Sequence, residues 1–316
     1  MTHTDDAPAS RTAGGRLAAR PISRVGVVGA GRMGSGVAEV CASAHVDVLV
    51  WEPDRRRSTT GRERLLSSFD RGVSSGTLTS RERDVAASRI RFTSDLAALA
   101  DRELVVEAVA EDRDVKTDLF RRIDGIVADP AAVLASTTAS VPVTELAAAT
   151  AHPERVLGMH FFDPVPVLPL VELVAGPETG EHALASAELF AEGVLGKQVV
   201  RCADRPGYVV NALLVPYLLS AVRMVESGLA TPEEVDRAMV LGAGHSTGPL
   251  ELADHVGLDT VASIADAMYA ASGEELHRPP GLLRAMVAAG ETGRRAGRGF
   301  YGYDDGAPTG TARDLR

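Results

Sequence analysis

The sequence has two cysteines, Cys41 and Cys202, among 316 residues. They lie far apart and fit no metal-ligand spacing, and such sparse use suits a reducing compartment rather than a disulfide framework. No lysine- or arginine-rich block is long enough to form a nucleic-acid footprint, and the formal net charge is −10. The chain therefore lacks the basic footprint of a protein that binds nucleic acid. No apolar run reaches membrane-spanning length. Residues 1–21, MTHTDDAPASRTAGGRLAARP, are small, polar and aperiodic. They lack the apolar core of a signal peptide, and Asp5 and Asp6 argue against a transit peptide despite Arg11, Arg16 and Arg20. The expectation is a disordered N-terminal tail on a cytoplasmic protein.

What is present fits a globular protein. Hydrophobic residues make up 45% and charged residues 24%, ordinary values for packed domains. The length is more than one core usually organises, so two domains are expected. Strand-like segments occur at 24–28, 46–51, 89–92, 103–109, 132–137, 156–162 and 170–174, with 197–202 as an eighth candidate. Helical patterns separate them, among them a polar stretch over 54–88 broken near Gly72 and Gly76, and VKTDLFRRIDGI at 115–126. Strands alternating with helices predict an α/β fold with a parallel, doubly wound, Rossmann-type sheet over residues 22–204. After Arg205 only helical spacing remains. Thr231-Pro232 and Thr247-Gly248-Pro249 look like helix starts, with proline near the first helical position. An all-helical C-terminal domain is expected over 205–316.

Gly29-Ala30-Gly31-Arg32-Met33-Gly34 follows the first strand and opens a helix, the context in which G-x-G-x-x-G binds a dinucleotide. Gly29 permits the turn, Gly31 lets backbone N–H groups approach a diphosphate, and Gly34 lets helix and strand pack. The helix N-terminus adds partial positive charge. Glu52 ends the second strand, 21 residues after Gly31, where a carboxylate holds the adenosine ribose of NAD. Arg55, Arg56 and Arg57 follow it, and arginine there can instead hold the 2′-phosphate of NADP or simply face solvent. NAD is the preferred reading.

LGMHFFDPVP, residues 157–166, sets His160 among apolar residues. Alone, such a histidine reads as hydrogen-bonded core. Glu172, inside PLVELV on the next predicted strand, is the carboxylate that could orient it. With that partner, a histidine can take the proton that leaves a hydroxyl as hydride departs.

The segments VGVVGAGRMGSGVAEV, LVVEAVAED with Lys116, ERVLGMHFFDPVPVLPLVELV, GYVVNALLVPYLLSAVRMVE, GPLELADHVGLD and GRGFYGY together resemble the 3-hydroxyacyl-CoA dehydrogenase family, in particular its actinobacterial 3-hydroxybutyryl-CoA members. The resemblance covers about residues 22–303. It implies a Rossmann lobe followed by a helical lobe that dimerises, and reversible NAD-dependent oxidation of a 3-hydroxyacyl thioester. It makes His160 the general base, Glu172 its partner, and Asn211 a polar residue reaching from the helical lobe. Glu111 and Lys116 match residues near the nicotinamide half of the cofactor.

Four positions depart from the family pattern. S-N-T-S-S after the fifth strand is Ser136-Thr137-Thr138-Ala139-Ser140 here. The serine that contacts the reacting oxygen aligns with Ala139, leaving Ser140 as the candidate substitute if the loop shifts. Asp163 replaces the asparagine of H-F-F-N-P beside the nicotinamide site. H-P-M-G-P is His245-Ser246-Thr247-Gly248-Pro249. Arg295 replaces the lysine before the terminal G-x-G-F-Y motif, where it is a candidate cofactor contact. These changes leave two alternatives open: a hydroxyacyl group carried on an acyl carrier protein, or a low-activity cofactor-binding scaffold.

Overall fold

The computed structural model describes residues 19, 21–304 and 307–312. The expected tail, residues 1–21, lies outside the described residues apart from Ala19 and Pro21. The chain forms two compact units, Met1–Asp204 and Arg205–Arg316.

The first unit is built on eight strands: β1 (Arg24–Val28), β2 (Asp47–Trp51), β3 (Ile90–Thr93), β4 (Leu104–Glu107), β5 (Val133–Ser136), β6 (Val156–Phe161), β7 (Leu170–Ala175) and β8 (Gln198–Ala203). Their spatial order is β3-β2-β1-β4-β5-β6-β7-β8. The central strands read as near-continuous apolar runs because helices cover both faces of a parallel sheet. β4 and β5 are buried at every position. Helices α1 (Arg32–Ser43), α2 (Arg55–Ser74), α3 (Ser80–Ser88), α4 (Arg113–Ile126), α5 (Val143–Ala148) and α6 (Glu181–Leu189) make the connections. α2 is polar except for one stripe, Gly61, Leu65 and Phe69, its only buried residues. Four-residue spacing puts these on a single face, and burying side chains such as Leu65 and Phe69 contributes roughly 1.5–3 kcal/mol each.

The sheet is mixed, which corrects the parallel expectation. β6 and β7 run antiparallel, while the β1–β6 succession and β7–β8 are parallel. The physical reason is connection length. Only residues 162–169 join β6 to β7, and a parallel crossover needs a dozen or more. The chain must reverse, and the reversal sets His160 directly opposite Glu172 in the register.

The second unit contains α7 (Val210–Glu226), α8 (Pro232–Ala243), α9 (Pro249–Val256), α10 (Leu258–Ser272) and α11 (Gly281–Ala288). Thr231 caps α8 with a full capping box and Pro232 follows it at the first helical position. Gly248 and Pro249 open α9. The all-helical expectation is corrected at the end of the chain, where β9 (Tyr301–Asp304) pairs antiparallel with β10 (Ala307–Ala312). Tyr301-Gly302-Tyr303 alternates aromatic and small residues, which suits a strand, and the helical reading there passed over that short period-two pattern. The GRGFY motif wraps a carboxylate. Asp254 of α9 accepts hydrogen bonds from the N–H groups of Phe300 and Tyr301 at 3.0 and 2.9 Å and from Tyr303 Oη at 3.0 Å. A Cβ on Gly299 would lie 2.0 Å from Asp254 Oδ1, so only glycine admits the acid.

Candidate active site

The carboxyl ends of β1, β2, β4, β5 and β6 point the same way, and the loops that leave them carry most of the predicted site. At β1, Gly29 has φ +101° and a Cβ there would lie 2.8 Å from Ala108 O. A Cβ on Gly34 would lie 2.0 Å from Gly29 O. These two positions therefore exclude every side chain. Gly31 differs: its Cβ would meet only Ala108 O, at 3.9 Å. It is the N-cap of α1, and no side chain caps the first-turn N–H groups. That arrangement fits the diphosphate of a dinucleotide.

Glu52 is buried, and its Oε2 accepts from Ala30 N–H at 3.2 Å while Oε1 accepts from Asp54 N–H at 3.2 Å. The carboxylate thus touches the glycine loop itself. Arg55, Arg56 and Arg57 are exposed at the start of α2. Two supports of this loop were not singled out in the sequence. Arg64 donates from Nη1 to Ala30 O at 3.0 Å, and Gly61 lets α2 approach so closely that a Cβ would lie 2.6 Å from Ala30 Cβ. The apolar stripe of α2 was the available signal for Gly61; Arg64 sits in an arginine-rich polar stretch that marks none of its members.

At β4 and β5 a polar network joins two loops. Lys116 and Glu107 are each 1% exposed, and Lys116 Nζ donates to both Glu107 oxygens at 2.8 and 2.9 Å. Ser136 Oγ donates to Glu107 Oε2 at 2.6 Å. The same ammonium lies 3.2 Å from Glu111 Oε2. Glu111 Oε1 gathers Thr138 Oγ1 at 2.5 Å, Ala139 N–H at 3.0 Å, and Ser140 N–H and Oγ, both at 2.9 Å. Burial pushes the Glu111 carboxyl up, but Lys116 and the donors from Thr138 and Ser140 outweigh it and hold the pKa at about 2. Glu111 is therefore a fixed anion that pins the loop after β5. Lys116 is buried beneath it, and the Ser140 hydroxyl is committed to it. Glu107 escaped the sequence reading, although an acid closing the apolar run LVVE, with Lys116 nine residues on, was the signal.

At β6, His160 is 6% exposed and Glu172 is fully buried. His160 Nδ1 lies 2.7 Å from Glu172 Oε2. A carboxylate only accepts, so Nδ1 carries the proton and Nε2 is the basic nitrogen. Phe162 packs edge-on against the imidazole, with ring centroids 4.7 Å apart. Glu172 stands on an interior strand, not at a solvated edge. Asp163, next to Phe162, forms an ion pair with Arg32 of the glycine loop at 3.2 Å.

The first unit thus brings together the glycine loop, Glu52, Glu111, Lys116, Ser140, His160, Asp163 and Glu172. Asn211 and Arg295 belong to the second unit. Asn211 is half-buried in the first turn of α7. Arg295 Nη2 lies 3.0 Å from Asp259 Oδ1 at the start of α10.

Residues 24–205 match the family model described as the 3-hydroxyacyl-CoA dehydrogenase NAD-binding domain, and residues 207–303 match the C-terminal domain of the same family. A 3-hydroxybutyryl-CoA dehydrogenase of Mycobacterium tuberculosis is 59% identical over 282 residues, covering 89% of this chain and 99% of the relative. The crystal structure of FadB2 from M. tuberculosis superposes with a TM-score of 0.89 at 58% identity, over 90% of this chain and 100% of that one. That of the (S)-3-hydroxybutyryl-CoA dehydrogenase PaaH1 from Ralstonia eutropha gives 0.83 at 40% identity, over 90% and 99%. With a Rossmann unit carrying a buried His–Glu pair and matches that span both units, the chain belongs to the 3-hydroxyacyl-CoA dehydrogenase family.

Proposed function

We propose that the protein oxidises the 3-hydroxyl of a short 3-hydroxyacyl-CoA, such as 3-hydroxybutyryl-CoA, to the 3-ketone, and reduces the ketone in reverse. The observation that carries this reading is the 2.7 Å His160–Glu172 pair on the sheet whose first loop is the dinucleotide turn. NAD⁺, when bound, supplies the hydride acceptor. Everything else falls to side chains. His160 Nε2 takes the hydroxyl proton as the carbon gives up hydride. Glu172 fixes the tautomer and stabilises the imidazolium, because its buried charge stands against Nδ1. The glycine loop, with the α1 N-terminus, holds the diphosphate, and Glu52 holds the adenosine ribose. Glu111 and Lys116 fix the loops beside the nicotinamide half. Asn211 is proposed as a substrate-binding amide, and Arg295 as a contact near the cofactor, on the strength of the family match.

The acyl group is carried on CoA in this reading; delivery on an acyl carrier protein is the alternative. We propose a homodimer formed through the helical unit, supported by Leu213, Leu229 and Leu241, each more than 70% exposed. A cytoplasmic location is supported by two buried, unbridged cysteines. No helix among the described residues is long and apolar enough to cross a membrane.

The test is NADH formation from a panel of 3-hydroxyacyl-CoA and 3-hydroxyacyl carrier-protein thioesters, run beside NADH binding by fluorescence. The expected result is turnover on the short CoA thioesters. Turnover confined to carrier-protein thioesters would move the substrate assignment, and binding without any turnover would make the protein a scaffold. Sedimentation of the full chain reports the dimer.

A further inference from the structure

The Arg32–Asp163 ion pair lies where no listing of loops would put it. Arg32 follows β1 and Asp163 follows β6. In the sheet, β4 and β5 stand between these strands. Neighbouring strands are about 4.8 Å apart, so the pair reaches over roughly 14 Å of sheet edge. All four strands are parallel, so both residues leave the same, carboxyl, end. The strand order reverses between β1 and β4, which is where such sheets bind a dinucleotide. The ion pair therefore straps the crevice that the cofactor would fill.

The Asp163 end of the strap is held in place. Lys197 is buried, and its Nζ donates to Val165 O at 2.6 Å and Leu168 O at 2.8 Å. On the other side the loop rests on α1, where a Cβ on Gly36 would lie 2.8 Å from Val165 Cβ. The Arg32 end is the first residue of α1, a position where a cation opposes the helix dipole unless an anion attends it. In this structure the attending anion is Asp163. The two side chains are 42% and 41% exposed, so water and a ligand can reach both.

We propose that Asp163 and the cofactor diphosphate compete for Arg32, and that this competition sets how tightly the dinucleotide is held and how readily it leaves. The proposal rests on the NAD reading of the glycine loop. Asp163→Asn removes the competing charge at constant size, so Arg32 is released toward the diphosphate. Arg32→Ala removes the shared partner. Because the pair is surface-exposed, neither change should disturb the fold.

Titrate NADH and ADP into native protein, Asp163→Asn, Arg32→Ala and the double variant at two salt concentrations, following fluorescence for NADH and heat for ADP. Asp163→Asn should tighten NADH and ADP alike, by about threefold to fivefold, as expected for exposed charge pairs. The gain should shrink with salt and vanish in the double variant. Three results would overturn the competition: Asp163→Asn binding no tighter than native, a gain that survives loss of Arg32, or a gain for NADH without one for ADP, which would move the effect to the nicotinamide ring. Native protein that binds neither ligand would fail the cofactor reading itself, a different outcome from native binding that Asp163→Asn leaves unchanged.

Discussion

His160 differs from a core histidine by one neighbour. Glu172, fully buried with its Oε2 2.7 Å from Nδ1, leaves Nε2 as the nitrogen that accepts a proton. Replacing Glu172 by Gln retains a hydrogen bond but removes the charge, so turnover should fall while the fold and NADH binding persist. Ala139 is the opposite case, a residue whose lack of a hydroxyl matters. The resemblance implies that its family counterpart contacts the reacting oxygen, and the Ser140 hydroxyl is held by Glu111 at 2.9 Å. One such donor is worth roughly 1–4 kcal/mol in comparable sites. Ala139→Ser should therefore raise kcat/KM on 3-hydroxybutyryl-CoA by about tenfold or more. An unchanged value would mean that another donor already serves the oxygen. Glu52 makes a third residue-scale prediction. Its carboxylate lies against the glycine loop, so a 2′-phosphate would meet a like charge at a cost of several kcal/mol. Parallel titrations should find NADPH at least about tenfold weaker than NADH; tighter NADPH would transfer the site to Arg55, Arg56 and Arg57.

At the scale of elements, two carboxylates give opposite pH behaviour. Glu111, held at about 2 against burial by Lys116 and its donors, stabilises the folded loop after β5 at pH above the ordinary carboxylate range. That contribution is lost as pH falls toward 2. Asp254 is pushed up to about 6 by burial, which outweighs the hydrogen bonds from Tyr301, Phe300 and Tyr303. Its folded form prefers the proton, so its contribution is full at acid pH below the ordinary range and is lost as pH rises through 6. Exchange protection of the Phe300 and Tyr301 amides, corrected for intrinsic rate, should accordingly be greater at about pH 5 than at about pH 7. Equal protection would contradict the burial argument.

The same elements show how far the sequence could be read. Glycine spacing, strand runs and proline-led helix starts are local signals, and the order of elements was legible in them. The antiparallel turn at β6–β7 was legible too, in the shortness of 162–169, but only once strand ends were fixed. Arg64 and the Arg32–Asp163 pair were not legible as a site, because each acts through a partner that the fold brings from a distant segment. The C-terminal hairpin had only the short Tyr301-Gly302-Tyr303 alternation as a signal, too brief to set against the helical spacing before it.

At the scale of the whole molecule, proton transfer, cofactor binding and loop positioning are proposed for the first unit, and substrate contact and dimerisation for the second. Those assignments depend on His160 being the group that moves the proton. The most direct measurement is the rate of hydride transfer in a single turnover with NAD⁺ and 3-hydroxybutyryl-CoA, for native protein and His160→Ala, with the NADH affinity of each taken by fluorescence. General-base catalysis is typically worth about 10²–10⁴ in rate. The account predicts a loss of that size with NADH affinity unchanged. A His160→Ala protein that transfers hydride at a near-native rate would contradict it and return His160 to the hydrophobic core.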